Sequence, residues 1–88
     1  MSRRFLRVAK VGGSLFDFAQ LPTRLRSWLD DQPGANVLIA GGGPLADAVR
    51  QADHLFALDA STAHRLAIES MRVMTELLAA LLPESQVL

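Results

Sequence analysis

The chain has 88 residues, half of them apolar and 20% charged, which places it among folded globular proteins and excludes a disordered linker. Nine basic and nine acidic side chains cancel to a formal charge of zero, so no net field draws nucleic acid or anionic lipid, and neither partner is expected. Cysteine is absent and histidine occurs twice, which excludes disulfides, thiol catalysis and zinc knuckles and leaves a poor basis for a metal site.

Ser2-Arg3-Arg4-Phe5-Leu6-Arg7 superficially resembles a twin-arginine export signal, but Arg7 and Lys10 interrupt the apolar run and Gly12-Gly13 ends it. The segment Phe5–Val11 reads instead as a buried strand closed by a tight turn. Leu21–Gln32 follows as an amphipathic helix, with Pro22 in the first turn, Leu21, Leu25, Trp28 and Leu29 at helical spacing, and Pro33-Gly34 as its stop. Asn36–Ala40 is a second short apolar run, read as a buried strand ended by Gly41-Gly42-Gly43. Strand, helix, strand makes a βαβ unit, which is right-handed with parallel strands and brings both glycine turns to one edge of the sheet.

Pro44 opens another helix directly out of the triple glycine, with Leu45, Ala48, Val49, Ala52 and Leu55 as its apolar face. The longest helix is predicted over about Ser61–Leu82, N-capped by Ser61 or Thr62 and stopped by Pro83. Arg65, Glu69, Arg72 and Glu76 make its polar stripe and also interrupt the longest apolar region, so no membrane span is expected and the protein is read as soluble and cytoplasmic. The remaining arc, with Ala63, Leu66, Ala67, Met71, Met74, Leu77, Leu78 and Leu81, is wider than one sheet contact requires. Gln86-Val87-Leu88 looks like the start of a third strand. The fold class expected is therefore α/β with a parallel sheet, residues 1–88 forming one partial domain, the N-terminal part of something larger.

Two turns could carry chemistry. In Lys10-Val11-Gly12-Gly13-Ser14 the glycines allow backbone N–H groups close to an anion, and the lysine sets a cation beside them; a tight turn with a surface lysine is the simpler reading of this string alone. Gly41-Gly42-Gly43-Pro44 feeds a helix whose free N–H groups and dipole favour an anion. Three ordered glycines cost backbone entropy, which favours binding over a turn needed only for packing. No G-x-x-x-x-G-K-[ST] occurs, so a P-loop is excluded. Gly41-x-Gly43-x-x-Ala46 fits a dinucleotide fingerprint, but Asp59, the acidic residue at the right distance, precedes a helix instead of ending a strand.

His64 falls on the apolar side of its helix, either as a buried histidine bonded to backbone or as a substrate contact. Asp47, Arg50 and His54 share the polar face of the helix after the triple glycine, and Asp47 with Arg50 could be a simple i,i+3 pair on a solvated surface. Asp47, nearest the loop, is the substrate-binding candidate of the three.

Lys10-Val11-Gly12-Gly13-Ser14-Leu15 followed by Gly41-Gly42-Gly43 at the end of the next strand resembles the amino acid kinase family, specifically its N-terminal, phosphoryl-acceptor half. The resemblance implies a three-layer α/β/α sandwich and an ATP-dependent phosphotransferase, with ATP and Mg2+ used by the complete enzyme. Carried over by motif, Lys10 would stabilise charge on the transferred group as the catalytic residue. Gly12 and Gly13 would donate N–H bonds to that group, with Ser14 as a further phosphate contact, and Gly41, Gly42 and Gly43 would line the acceptor side. The nucleotide-binding half would lie beyond Leu88, so the chain alone is expected to be incomplete and inactive. Ser61, His64 and Leu66-Ala67-Ile68 depart from the uridylate-kinase pattern. Gly41 to Arg50 and His64-x-x-Ala67-Ile68-x-x-Met71 are more similar to members that phosphorylate an aminomethylfuran phosphate. A small-molecule acceptor is implied, and the helix 61–82 is expected to offer a homodimer surface through Met74, Leu77 and Leu81. The alternatives are a non-catalytic interaction or regulatory module and a dinucleotide-binding domain.

Overall fold

The computed structural model describes residues 6–87. Strand β1 spans Leu6–Val11, helix α1 Leu21–Asp30, strand β2 Ala35–Ala40, helix α2 Gly43–Phe56 and helix α3 Ala60–Leu81. Phe5, placed at the start of the first strand by the sequence, lies outside the described residues, as does Leu88. Between β1 and α1 the chain makes a short 3-10 turn, Gly13–Asp17, which the sequence pattern did not announce.

The strands pair in parallel from Leu6 opposite Ala35 to Val11 opposite Ala40, as a βαβ unit requires. Because both strands end at the same level, the two glycine turns leave the sheet side by side, and Gly41 N–H donates to the Val11 carbonyl at 3.1 Å.

Alternation along this register divides the sheet into two faces. Arg7, Ala9 and Val11 with Asn36, Leu38 and Ala40 form the covered one. Val11 and Ala40 are buried in a core with Leu21, Met74, Leu78 and Leu82, against which Leu25, Leu29, Leu38 and Leu81 pack. Here α1 and the C-terminal half of α3 share one core, and Arg26 of α1 pairs with Glu84, just past the end of α3, at 3.3 Å. Arg7 is accommodated on this face by the ring of Trp28, 6.0 Å from its guanidinium carbon.

The opposite face stays open: Leu6 is 69% exposed, Val8 61% and Ile39 50%. The strands expected to be buried are thus covered on one face only among the described residues. Among the described residues the architecture is α/β, a two-stranded parallel sheet with three helices, and these helices cover one sheet face.

Helix α2 packs on α3 through Ala46, Val49, Ala52 and Asp53, all half-buried, while the expected face residues Leu45 and Leu55 are exposed. The reason is where α2 begins: its first residue is locked against the other glycine turn, and that contact sets the phase of the helix. On α3 the inward stripe is Ser70, Met74 and Leu78, spaced four apart. Met74 is thus a core residue and not a surface one. Leu81 is half-buried, while Leu77, Ile68, Met71 and Val73 are exposed. Gln86 and Val87 lie in neither strand nor helix, against the third strand expected there. Among the described residues no helix is long and apolar enough to cross a membrane.

The N-cap of α3 is Asp59, not Ser61 or Thr62. Its carboxylate accepts the Thr62 N–H at 3.3 Å and the Ser61 hydroxyl at 2.7 Å. Hydrogen bonds from Thr62 and then Ser61 hold its carboxyl below the ordinary carboxylate pKa. A depressed carboxyl stabilises the fold above its unfolded-state pKa, and that contribution is lost as pH falls through the lower folded value. Asp59→Ala should therefore lower the melting temperature at neutral pH, and the gap from the parent should close in acid below the ordinary carboxylate range. A gap of equal size at both pH values would refute this account of the cap.

Candidate functional site

The two glycine turns meet backbone to backbone. A Cβ placed on Gly13 would stand 2.5 Å from Gly43 Cα and 2.9 Å from Gly43 N, so no side chain fits between the loops. Gly43 also takes a positive φ of 58°, a conformation that glycine adopts without strain, and its own Cβ would lie 3.2 Å from Met74 Cε. Beneath the turn, a Cβ on Gly42 would meet Ala46 Cβ at 2.5 Å and Ser70 Oγ at 2.8 Å. Ser70 is buried and spends its hydroxyl on the Ala67 carbonyl, 2.6 Å away.

Packing alone thus explains Gly13, Gly42 and Gly43. The entropic argument that the triple glycine favours ligand binding over packing is corrected to that extent. Gly12 and Gly41 are different. A Cβ on Gly41 would make only ordinary contacts, at 3.6 Å or more, and one on Gly12 would meet nothing within 4 Å.

Gly12 opens into a cleft of about 430 Å3 lined by Lys10, Gly12, Gly13, Ser14 and Asp17 on one side and by Gly41, Gly42, Gly43, Pro44, Ala46, Asp47 and Arg50 on the other. Lys10 alternates to the open face of β1 and is exposed; its Cε passes 3.8 Å from where a Cβ on Gly41 would sit, so its alkyl stem runs over the second loop. Seven of the nine site residues expected from sequence that could hold a phosphoryl group or acceptor, from Lys10 to the triple glycine, therefore share this one concavity, and Asp47 joins them.

His64 does not. It is exposed on α3 and contributes nothing to the cleft wall, and the buried-histidine reading is corrected with it. Two charged lining residues, Arg50 and Asp17, are not among the site residues expected from sequence. By sequence Arg50 is a solvated partner of Asp47, and its i,i+3 spacing puts it on the side of α2 that carries Asp47. Asp17 had no signal, because only the 3-10 turn brings it round to the cleft.

A larger concavity, about 630 Å3, runs along β2 between Leu38, Ile39, Leu78, Leu82 and Val87. Among the described residues its one charged lining residue is Glu84, which makes it unfit for an anion. In the smaller cleft, by contrast, a cation, open backbone at Gly12 and the N-terminus of a 14-residue helix converge. That arrangement suits a phosphoryl group bound without any protein nucleophile. Among the described residues no three His, Cys, Asp or Glu side chains gather as metal ligands.

The geometry predicts a separation of stability from binding at Gly12. Its φ of −66° and ψ of 148° are open to any residue, so Gly12→Ala should change stability by less than about 0.5 kcal/mol. The new methyl group nevertheless projects into the cleft, and pyrophosphate affinity measured by calorimetry should fall about tenfold or more as close approach to the backbone is lost. Unaltered affinity would move the anion site away from Gly12.

No protein-family model matches the chain, and no solved structure matches it. It is similar to [5-(aminomethyl)furan-3-yl]methyl phosphate kinase of Methanocaldococcus jannaschii, with 33% identity over 75 residues, or 84% of this chain and 35% of that protein. The chain thus spans about a third of the length of the curated relative it matches.

Proposed function

We propose that this chain forms the acceptor-side, phosphoryl-binding part of an ATP-dependent small-molecule kinase of the amino acid kinase type. The observation that carries the reading is the contact between the two glycine loops, which presses their backbones together beneath Lys10 and leaves Gly12 facing an open cleft. A distant kinase relative supports the reaction class. ATP with Mg2+ supplies the transferred phosphoryl group when bound; its adenosine is left to the further length that the relative possesses.

In this reading the acceptor oxygen forms a bond to phosphorus while the bond to the departing ADP oxygen breaks. The protein's part is positional and electrostatic. The backbone N–H groups at Gly12 and Gly13 and the hydroxyl of Ser14 hold the phosphoryl oxygens, Lys10 balances the negative charge they develop, and Gly41 to Gly43 keep the acceptor side close. Asp47 meets a cationic group on the acceptor, which fits a substrate like that named for the relative, with an aminomethyl group as well as a phosphate. His64, the other residue proposed from sequence as a substrate contact, does not line this cleft.

Phosphorus NMR of the full-length protein with ATP, Mg2+ and [5-(aminomethyl)furan-3-yl]methyl phosphate tests the proposal. New diphosphate resonances and ADP are expected. Absence of both, in a folded protein that also fails to bind pyrophosphate, would overturn it.

A further inference from the structure

Lys10 and the glycine loops account for one end of the cleft. Its other wall is α2, which presents a pair of opposite charges: Arg50 Nη2 donates to Asp47 Oδ1, and both residues line the cavity. Helical side chains lean toward the N-terminus, and pairing with the residue three positions earlier shows that Arg50 follows this rule. Its guanidinium is thereby carried back over the first turn of α2. Asp47 stands four residues after Gly43, so at 1.5 Å per residue the pair lies about 6 Å along the axis from the glycine loop.

Both side chains are 72% exposed, and an ion pair so well hydrated opens at little cost. The charges around the cleft are Lys10 and Arg50 against Asp17 and Asp47, which cancel. Beyond the loop backbone and helix terminus that hold the phosphoryl group, the side chains leave no surplus positive charge for a ligand carrying a second anion. Such a group must be met by one particular cation that gives up its present partner. Among the described residues Arg50 is the sole cation in the lining besides Lys10, and its planar fork of donors matches a carboxylate or phosphate.

We infer that Arg50 selects the acceptor: it takes an anionic group lying about one helical turn from the phosphoryl site, and Asp47 holds the guanidinium over the cleft until the acceptor displaces it. Displacement also frees the Asp47 carboxylate for a cationic group on the same molecule. The inference rests on the reading of the glycine loops as a phosphoryl site, and the test separates the two.

Ethylphosphonate and 3-phosphonopropionate present the same phosphonate, the second with a carboxylate at its far end. Titrated calorimetrically into the full-length protein, 3-phosphonopropionate should bind about tenfold more tightly, the scale of one charge-assisted contact at an exposed site. Arg50→Gln, on an exposed helix face where folding is not at stake, should bring its affinity down to that of ethylphosphonate. Asp47→Asn should tighten 3-phosphonopropionate by removing the competing carboxylate. An advantage of 3-phosphonopropionate that survives Arg50→Gln, or none in the parent protein while ethylphosphonate binds, overturns the role of Arg50 and leaves the phosphoryl site standing. Failure of both compounds to bind the parent protein removes the phosphoryl site and this inference together.

Discussion

Gly13→Ala should be the most damaging single methyl group that can be added to this chain. The new Cβ would lie 2.5 Å from Gly43 Cα, a backbone atom that cannot rotate aside as a flexible side chain would. Relief requires the two loops to part, and their separation strains the Gly41 N–H bond to the Val11 carbonyl and the placement of α2 on α3. Overpacking of this sort costs about 1–3 kcal/mol where a core can adjust. With backbone on both sides, about 3 kcal/mol is expected, a large fraction of the 5–15 kcal/mol that typically holds a domain together. For a chain of this size that corresponds to a fall of roughly 10–20 °C in melting temperature. Gly12→Ala, one residue earlier, is the internal control, because its methyl group meets no protein atom within 4 Å. Comparable melting temperatures for the two variants would show that the loops are not in contact.

Lys10→Ala should act on catalysis with the fold intact. Lys10 is exposed and, among the described residues, no hydrogen bond or ion pair ties it to the core, so its truncation belongs with surface changes worth about 0.5 kcal/mol or less in stability. Its ammonium group nevertheless sits on a stem directed over Gly41, at the junction of the two loops where a transferred phosphoryl group would gather charge. Removing one preorganised donor of this kind lowers kcat by about 10²–10³, or about 2.7–4 kcal/mol of transition-state stabilisation. In the proposed kinase reaction the loss should appear in kcat more than in KM, because the charge it balances is greatest in the transition state. Lys10→Arg should restore part of the rate by returning the charge without the lysine's compact geometry. An unchanged kcat in Lys10→Ala would take Lys10 out of the mechanism.

Local rules written into the chain determined a good deal. Period and breakers located both strands and all three helices to within a residue or two, since Gly12-Gly13, Pro33-Gly34 and Gly41-Gly42-Gly43 act on backbone conformation wherever they stand. The βαβ order required parallel pairing, and parallel pairing of strands that end together required the two glycine turns to be neighbours. Most of the cleft was legible for that reason.

What depended on contacts between distant residues was decided only in three dimensions. Whether Gly42 and Gly43 serve a ligand or packing could not be read from GGG, because the answer lies in Ser70, Ala46 and Met74 pressing from beneath. The inward face of α2 followed from the anchoring of Gly43 against Gly13 and not from the apolar arc through Leu45 and Leu55. Arg50 and Asp17 entered the cleft because a helix phase and a 3-10 turn carried them there. His64 stays outside it because α3 turns that side outward, although its spacing puts it on the apolar side of the helix. Backbone preference is a property of a few adjacent residues and survives in the sequence string; the face an element buries is a property of what it meets, and forms only when the elements assemble.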